Sequence, residues 1–415
     1  MATITIPQTA AAEWKRHWPL VMATAAGMAL AAMLSVIFGI VLEPIESEMG
    51  WSRAQISSGP LIVSLMGLVF AAPAGHLIDR FGPWRCGILV VTFSLLAAIT
   101  IGTADSLLHW RAGWALFGIP AAFTSTVWLA PVSTIFNKGR GMAIAITIAG
   151  ISVSQMLIPP FAEYLLVTHG WRMVFIGVGS VWCAVVFPLI FLFVPKSGVV
   201  ASAADEEALI EDGQMEASGY GPLEGLKVPA FYMLFLASLF SAMTGVAVML
   251  NMVPVLTFTG LERVDAIWIL SSMGIASFIG RLVGGWLMDR YDVRKLAIGA
   301  ALVSLIMPAG LLLFPGSFTA SMIAVLSWGL TGGMKLNAIV YLTRVYMGAK
   351  SFGFFYGAIS ITTTMAQGVS PFVANYLYDM TQSYWPVIWA TIPGFLISGL
   401  LFFLLGPRPD FDRHM

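Results

Sequence analysis

The chain has 415 residues, of which 58% are hydrophobic and 10% charged, with 21 basic side chains balanced by 21 acidic ones. So few charges cannot give a soluble domain of this size a hydrated surface, and zero net charge removes the electrostatic case for nucleic acid as a partner. Divided into spans of roughly 20 residues plus short loops, this length allows about a dozen membrane crossings.

At the start of the chain, Lys15 and Arg16 precede a long apolar run without a cleavage-site pattern, which reads as an uncleaved first helix and not a signal peptide. Apolar runs then cover 18–42, 55–76, 86–104, 108–134, 141–166 and 172–194. After a polar stretch they resume over 230–258, 266–288, 296–314, 319–342, 353–378 and 385–405. Gly and Pro interrupt many of these runs, as lipid-embedded helices tolerate. The expected fold class is all-α integral membrane, with twelve transmembrane helices. Residues 194–228 form the one long loop, rich in Ala, Gly, Ser and acids including Asp205, Glu206, Glu207 and Glu211, and read as a solvated linker. The expected organisation is a six-helix bundle over 1–194, a cytoplasmic linker over 195–229 and a second six-helix bundle over 230–415.

Cys86 and Cys183 fall near or inside spans and read as buried thiols, not as a disulfide framework. The five histidines lie at edges or in loops without ligand spacing, so neither a metal nor another cofactor is expected. No nucleophile, base and oxyanion set can be placed together, which speaks against an enzyme.

Placing the N-terminus in the cytoplasm assigns alternate loops to each side. Fifteen of the basic residues then lie inside, among them Lys15, Arg80, Arg85, Lys138, Arg290 and Arg344, while Arg53, Arg111, Arg172 and Arg263 lie outside. The positive-inside rule therefore puts both termini in the cytoplasm, in a multi-pass protein of the inner cell membrane.

The halves repeat. Gly75-His76-Leu77-Ile78-Asp79-Arg80 after the second span is matched by Gly285-Trp286-Leu287-Met288-Asp289-Arg290 after the eighth, 210 residues on (289 minus 79). Pro160-Phe161 is matched by Pro371-Phe372 at an offset of 211 (371 minus 160). Two matches whose spacings differ by a single residue indicate two six-helix pseudo-repeats, the arrangement that lets two bundles rock about a central site.

Gly75, Leu77, Asp79, Arg80, Gly82 and Arg85, with the second copy at Gly285, Leu287, Asp289 and Arg290, resemble the loop signature of the major facilitator superfamily. Pro83 and Trp84 stand where that signature usually has basic residues, and Trp114 where the fourth helix often carries arginine. The resemblance implies the major facilitator fold and a gating role for Asp79, Arg80, Asp289 and Arg290, apart from substrate. Within the superfamily, Met49-Gly50-Trp51-Ser52-Arg53 and Arg281-Leu282-Val283-Gly284-Gly285-Trp286 resemble the monocarboxylate porters and the oxalate:formate exchangers. That branch implies a substrate carboxylate bound by an eighth-helix arginine, matched here by Arg281. Ser277 replaces the aspartate that animal porters carry one turn earlier, and the first helix has no lysine inside it.

Arg281 and Lys335 are the two basic residues inside spans, about 12 Å and 13 Å from the cytoplasmic ends of their helices at 1.5 Å per residue. A lone cation at such depth costs roughly 3 kcal/mol on insertion scales. No Asp or Glu falls in the middle of any span; Glu43, Asp105 and Glu163 lie nearer the outer ends. Either an anionic substrate compensates the two cations, with Arg281 as a bidentate anchor and Lys335 as a point charge, or backbone carbonyls, waters, Glu43 and Glu163 do so in a structural role.

Helices one, four, seven and ten line the cavity of this fold, which adds Ser35, Thr124, Ser125, Thr126, Trp128, Asn251, Asn337 and Tyr341 as candidate contacts. Asn251 is favoured because Pro254 frees a carbonyl beside it. Thr362, Thr363, Thr364 and Gln367 read as helix-packing groups.

The expected function is secondary transport of a small organic monocarboxylate by alternating access, as a proton symporter or an anion-exchanging antiporter, by a monomer in the lipid bilayer. Protons would travel with the substrate, through Glu43 or Glu163, or not at all. The rivals are multidrug or other small-solute efflux and, from another class, a non-transporting membrane sensor whose long loop binds a partner.

Overall fold

The structure, a computed structural model, describes residues 9–136, 139–196, 219–348 and 350–409, with the backbone alone at 71, 72, 79, 125 and 336. Much of the expected linker, residues 197–218, lies outside the described residues. The first half holds α1 (Ala10–Met49), α2 (Arg53–Gly102), α3 (Leu107–Ile135), α4 (Arg140–His169) and α5 (Trp171–Phe193). The second holds the single turn α6 (Pro222–Gly225), then α7 (Pro229–Met249), α8 (Met252–Phe258), α9 (Arg263–Met288), α10 (Val293–Val303) and α11 (Ile306–Leu313). It ends with α12 (Phe318–Met347), α13 (Phe352–Thr381) and α14 (Trp385–Leu404).

These helices make twelve crossings. Gly82, at φ 79° and ψ 160°, takes a conformation that side chains resist, and so breaks α2 into two crossings, one before residue 82 and one after it. α10 and α11 form one crossing, Val293–Leu313, interrupted where Pro308 supplies no N–H to the Ser304 carbonyl. α7 and α8 likewise form one, broken four residues before Pro254. The Leu250 carbonyl that Pro254 leaves free rests against α1, 2.5 Å from where a methyl on Gly39 would stand, so only glycine allows that approach. Eleven crossings are long and apolar enough to span a membrane by themselves. The remaining one, α13, is 30 residues long but diluted by Thr362, Thr363, Thr364, Gln367 and Asn375.

α1 begins at Ala10, ahead of the expected 18, because Thr9 caps it and the buried Glu13 accepts a hydrogen bond from the Gly139 amide at 2.9 Å. It ends at Gly50, whose φ of 66° suits glycine. Ser52 and Gln55 then form a capping box that starts α2.

Residue 9, the two sides of the linker and residue 409 lie at one end of the bundle, the terminal end, and the loops after α1, α4, α8 and α13 lie at the far end. Across the middle, α2 packs on α13 and α4 on α9. Within the second half α9 and α12 lie close, because a methyl on Gly280 would collide with the Leu330 carbonyl and one on Gly333 with the Ser277 carbonyl. A single hydrophobic core joins the first half to the far-end part of the second, through residues such as Phe38, Trp114, Val253 and Tyr384. At the terminal end the second half has its own separate core, around Phe231, Leu342 and Phe355. The two halves are therefore fused at the far end and distinct at the other. Large apolar side chains such as Val167, Leu192, Trp389 and Phe403 are exposed on the outside, the surface expected of a protein solvated by lipid tails.

Candidate functional site

Two adjoining cavities lie between the halves. The first, about 240 Å³, is lined by Gln155 of α4, Ser277 and Arg281 of α9, Trp328 and Lys335 of α12, and Gln367 of α13, among others. The second, about 320 Å³, is lined mainly by the first half, with Ser35, Ser64, Phe117 and Thr124. Ile151, Gln155, Val246, Met249 and Gln367 border both, so the two meet at these residues. Among the described residues, no Asp or Glu lines either cavity.

Arg281 sits beside Gly280, where α9 and α12 touch backbone to backbone, so its side chain is directed by tight packing at its root. The guanidinium reaches across to the first half, and Nη1 donates to the Ile148 carbonyl of α4 at 2.7 Å. Nε is buried with no hydrogen-bond partner. A buried donor without a partner loses about 1–3 kcal/mol of solvation, so the Nε edge of this cation is where a carboxylate or water gains most. Among the described residues no carboxylate pairs with Arg281 or Lys335. Lys335 borders the cavity, but its ammonium ends at Ser304, which does not; it donates to Ser304 Oγ at 2.7 Å and lies 4.7 Å from the Phe395 ring centroid. Ser304 is in turn bonded to Thr331 and to the Ala300 carbonyl, so the lysine ends in a neutral polar cluster between α12, α14 and the α10–α11 break.

The other sequence candidates are dispersed. Ser35 and Thr124 line the second cavity. The Ser125 side chain lies outside the described residues. Trp128 is fully buried against Gly27, away from the lining, because its ring fills the space that a side chain at residue 27 would need. Asn337 is exposed and donates to the Arg281 carbonyl at 3.4 Å, and Tyr341, also exposed, borders neither cavity. Asn251 is buried below the far end, where it donates to the Ala247 carbonyl at 2.8 Å and accepts from Asn375 at 2.8 Å. The carbonyl freed by Pro254 faces Gly39 and not the cavity. Of the gating candidates, the Asp79 side chain lies outside the described residues. Asp289 is the exposed C-cap of α9, Arg80 lies 5.5 Å from the Phe81 ring, and Arg290 lies 4.2 Å from the Trp286 ring, all at the terminal end.

Sequence reasoning assigned Gln367 to helix packing and did not single out Gln155, yet both border the two cavities. A signal was present in the sequence: each glutamine stands four residues before a proline, Pro159 and Pro371.

The far end is held by two polar clusters. The Asp379 carboxylate accepts from the Arg53 and Ala54 amides at 3.1 and 2.8 Å, so an acid of α13 caps the N-terminus of α2 in the other half. Arg53 donates to Glu46 at 2.8 Å and to the Tyr384 hydroxyl at 2.9 Å, and its guanidinium lies 3.8 Å from the Tyr378 ring centroid. Arg263 of α9 grips Glu163 of α4 through two bonds of 2.8 and 3.0 Å and comes within 3.5 Å of Glu43. Glu43 and Glu163, the acids weighed above as partners for the deep cations, are thus engaged by Arg53 and Arg263 instead. Among hydrogen bonds joining described residues of the two halves, all but Arg281 to Ile148 lie at or just below the far end.

The profile of the Major Facilitator Superfamily matches residues 24–334 and 234–414. The chain belongs to that superfamily: it is a twelve-helix, multi-pass membrane transporter and not an enzyme. It is 24% identical over 351 residues to monocarboxylate transporter 12 of Rattus norvegicus, covering 78% of this chain and 71% of that protein. It is 25% identical over 388 residues to a probable sulfoacetate transporter of Cupriavidus necator, covering 86% and 84%. With the 3-(3-hydroxy-phenyl)propionate transporter of Escherichia coli it shares 24% over 383 residues, covering 87% and 85%. Among solved structures, the inward-open xylose transporter XylE from E. coli superposes with a TM-score of 0.72 at 14% identity, over 95% of this chain and 97% of that one.

Proposed function

We propose that this transporter carries a small organic carboxylate, anchored by Arg281, through alternating access. The observation that carries the reading is a deep guanidinium that, among the described residues, has no carboxylate partner, and whose Nε edge is unused beside a cavity lined by no described acid. A cation-expelling pump would place acids there, so multidrug efflux of cations is disfavoured. The relatives named for a monocarboxylate, for sulfoacetate and for a phenylpropionate all carry organic anions by name, which supports the same class. Lys335 adds positive potential through its unneutralised charge, without direct contact. Ser35 and Thr124 supply neutral hydrogen bonds from the first half.

The moving bodies are residues 1–194 and 230–415, joined by the linker 195–229. With the termini in the cytoplasm, the fused far end faces outward and the cleft is in its inward-facing state. The protein works as a monomer in the inner membrane, by proton symport or anion exchange. The test is counterflow in proteoliposomes with carboxylates and their neutral amides, with and without a pH gradient. The expected result is counterflow for acids at least tenfold above that for the matched amides; equal rates for both reject the anion reading. Stimulation by a pH gradient assigns symport, and its absence assigns exchange.

A further inference from the structure

Gln155 and Gln367 stand at matching depth in the two halves. Each is the sixteenth residue of a 30-residue helix, since 155 minus 140 and 367 minus 352 are both 15. They therefore stand at mid-depth on α4 and α13, one from each half, at the junction of the two cavities. Among the described residues, neither side chain has a hydrogen-bond partner. Gln155 is 7% exposed and its Oε1 is buried unpaired, whereas Gln367 is open to the cleft. An amide offers one acceptor and one double donor, so the buried Gln155 amide is under-satisfied whichever way it is turned, and Gln367 faces it as an open amide.

Their position relative to Arg281 fixes what they can read. Arg281 meets α4 at Ile148, seven residues before Gln155, an axial separation of about 10 Å. Helical side chains lean toward the N-terminus, so Gln155 leans back toward Ile148, shortening the gap to roughly 5–8 Å. Apolar side chains fill that interval: Ile151 on α4 between the two, with Met249, Met273 and Trp328 around the same cavity.

The geometry points to a cavity with two polar poles and an apolar waist, in which Gln155 and Gln367 select a carboxylate bearing a neutral hydroxyl about four to six bonds from the carboxyl carbon. The inference rests on the anion reading above and narrows its substrate class. A hydroxyl both donates and accepts, so one such group satisfies an amide that an alkyl chain would leave unpaired. A hydroxyl next to the carboxylate would sit at the Arg281 pole and reach neither glutamine. Because the two amides belong to different halves, the far pole of the substrate also bridges the bodies that must move.

The test is titration of the purified full-length protein with matched pairs: hexanoate against 6-hydroxyhexanoate, and phenylacetate against 4-hydroxyphenylacetate, with 2-hydroxyhexanoate as the position control. The expected result is about tenfold or greater preference for the distal hydroxy acid in each pair, and no gain from the 2-hydroxyl. Gln155→Leu and Gln367→Leu should each shrink that preference to threefold or less. Equal affinity within each pair in the wild type, or an equal gain from the 2-hydroxyl, overturns this inference and leaves the anion reading standing. So does a glutamine variant that weakens both members of a pair in proportion. Failure of every acid to bind overturns both. Should the leucine variants fail to fold, the wild-type comparison of hydroxyl positions alone decides.

Discussion

Arg281→Ala is expected to abolish carboxylate transport, by at least a hundredfold, while the protein reaches the membrane in normal amounts. The guanidinium makes one hydrogen bond across the cleft, to the Ile148 carbonyl, and no ion pair with any described residue, so its removal leaves no buried acid behind. Removing an uncompensated deep cation relieves a cost of roughly 3 kcal/mol and should not harm insertion. What is lost is the anchor. A charged hydrogen bond is worth about 1.5–3 kcal/mol, and a bidentate carboxylate contact uses two, so a loss of a hundredfold or more follows at about 1.4 kcal/mol per factor of ten. Arg281→Lys keeps the charge but not the fork and should retain only a small fraction of the rate. Uptake in reconstituted vesicles, normalised to protein, measures both variants; wild-type turnover in Arg281→Ala rejects the anchor role.

Opening of the far end is expected when Arg263→Met is combined with Asp379→Asn. Together these remove the paired bonds to Glu163 and the carboxylate at the α2 N-terminus, which join α9 to α4 and α13 to α2. At about 1.5–3 kcal/mol for each charged bond, the balance between states should move by more than tenfold. The readout is a single cysteine at Ser35, which lines the second cavity, in a background with Cys86 and Cys183 replaced. A membrane-impermeant maleimide applied from the far-end side should label it at least tenfold faster in the double variant. Unchanged labelling, in protein that still folds, shows that these clusters do not hold the gate. The same variants should lower transport, because a carrier that rests in one state turns over slowly.

The crossings were legible because lipid demands long apolar runs, and the repeat was legible because Pro160-Phe161 and Asp79-Arg80 reappear at offsets of 211 and 210. Helix ends were not, since they depend on capping by Thr9 and on Glu13 reaching the Gly139 amide across the fold. Arg281 and Lys335 stood out alike as deep charges, but only packing decides direction: the glycines of α9 and α12 send Arg281 across the cleft, while the α10–α11 break offers Ser304 to Lys335. Asn251 has the marks of a cavity residue next to a proline, yet Asn375, 124 residues away, draws it into the far-end network. Gln155 and Gln367 are uncharged and sit among serines and threonines that mostly bond their own helices, so nothing local separated them from packing groups. Charge announces itself in a sequence, whereas an amide gains meaning from what it fails to touch.

Direct titration of the purified protein with a carboxylate and its amide isostere, in wild type and in Arg281→Gln, probes the anchor with least intervening machinery. The account predicts saturable binding of the acid by the wild type, at least tenfold weaker binding of the amide, and loss of that discrimination in Arg281→Gln. Equal affinity for acid and amide in the wild type, or discrimination surviving in the variant, would contradict it.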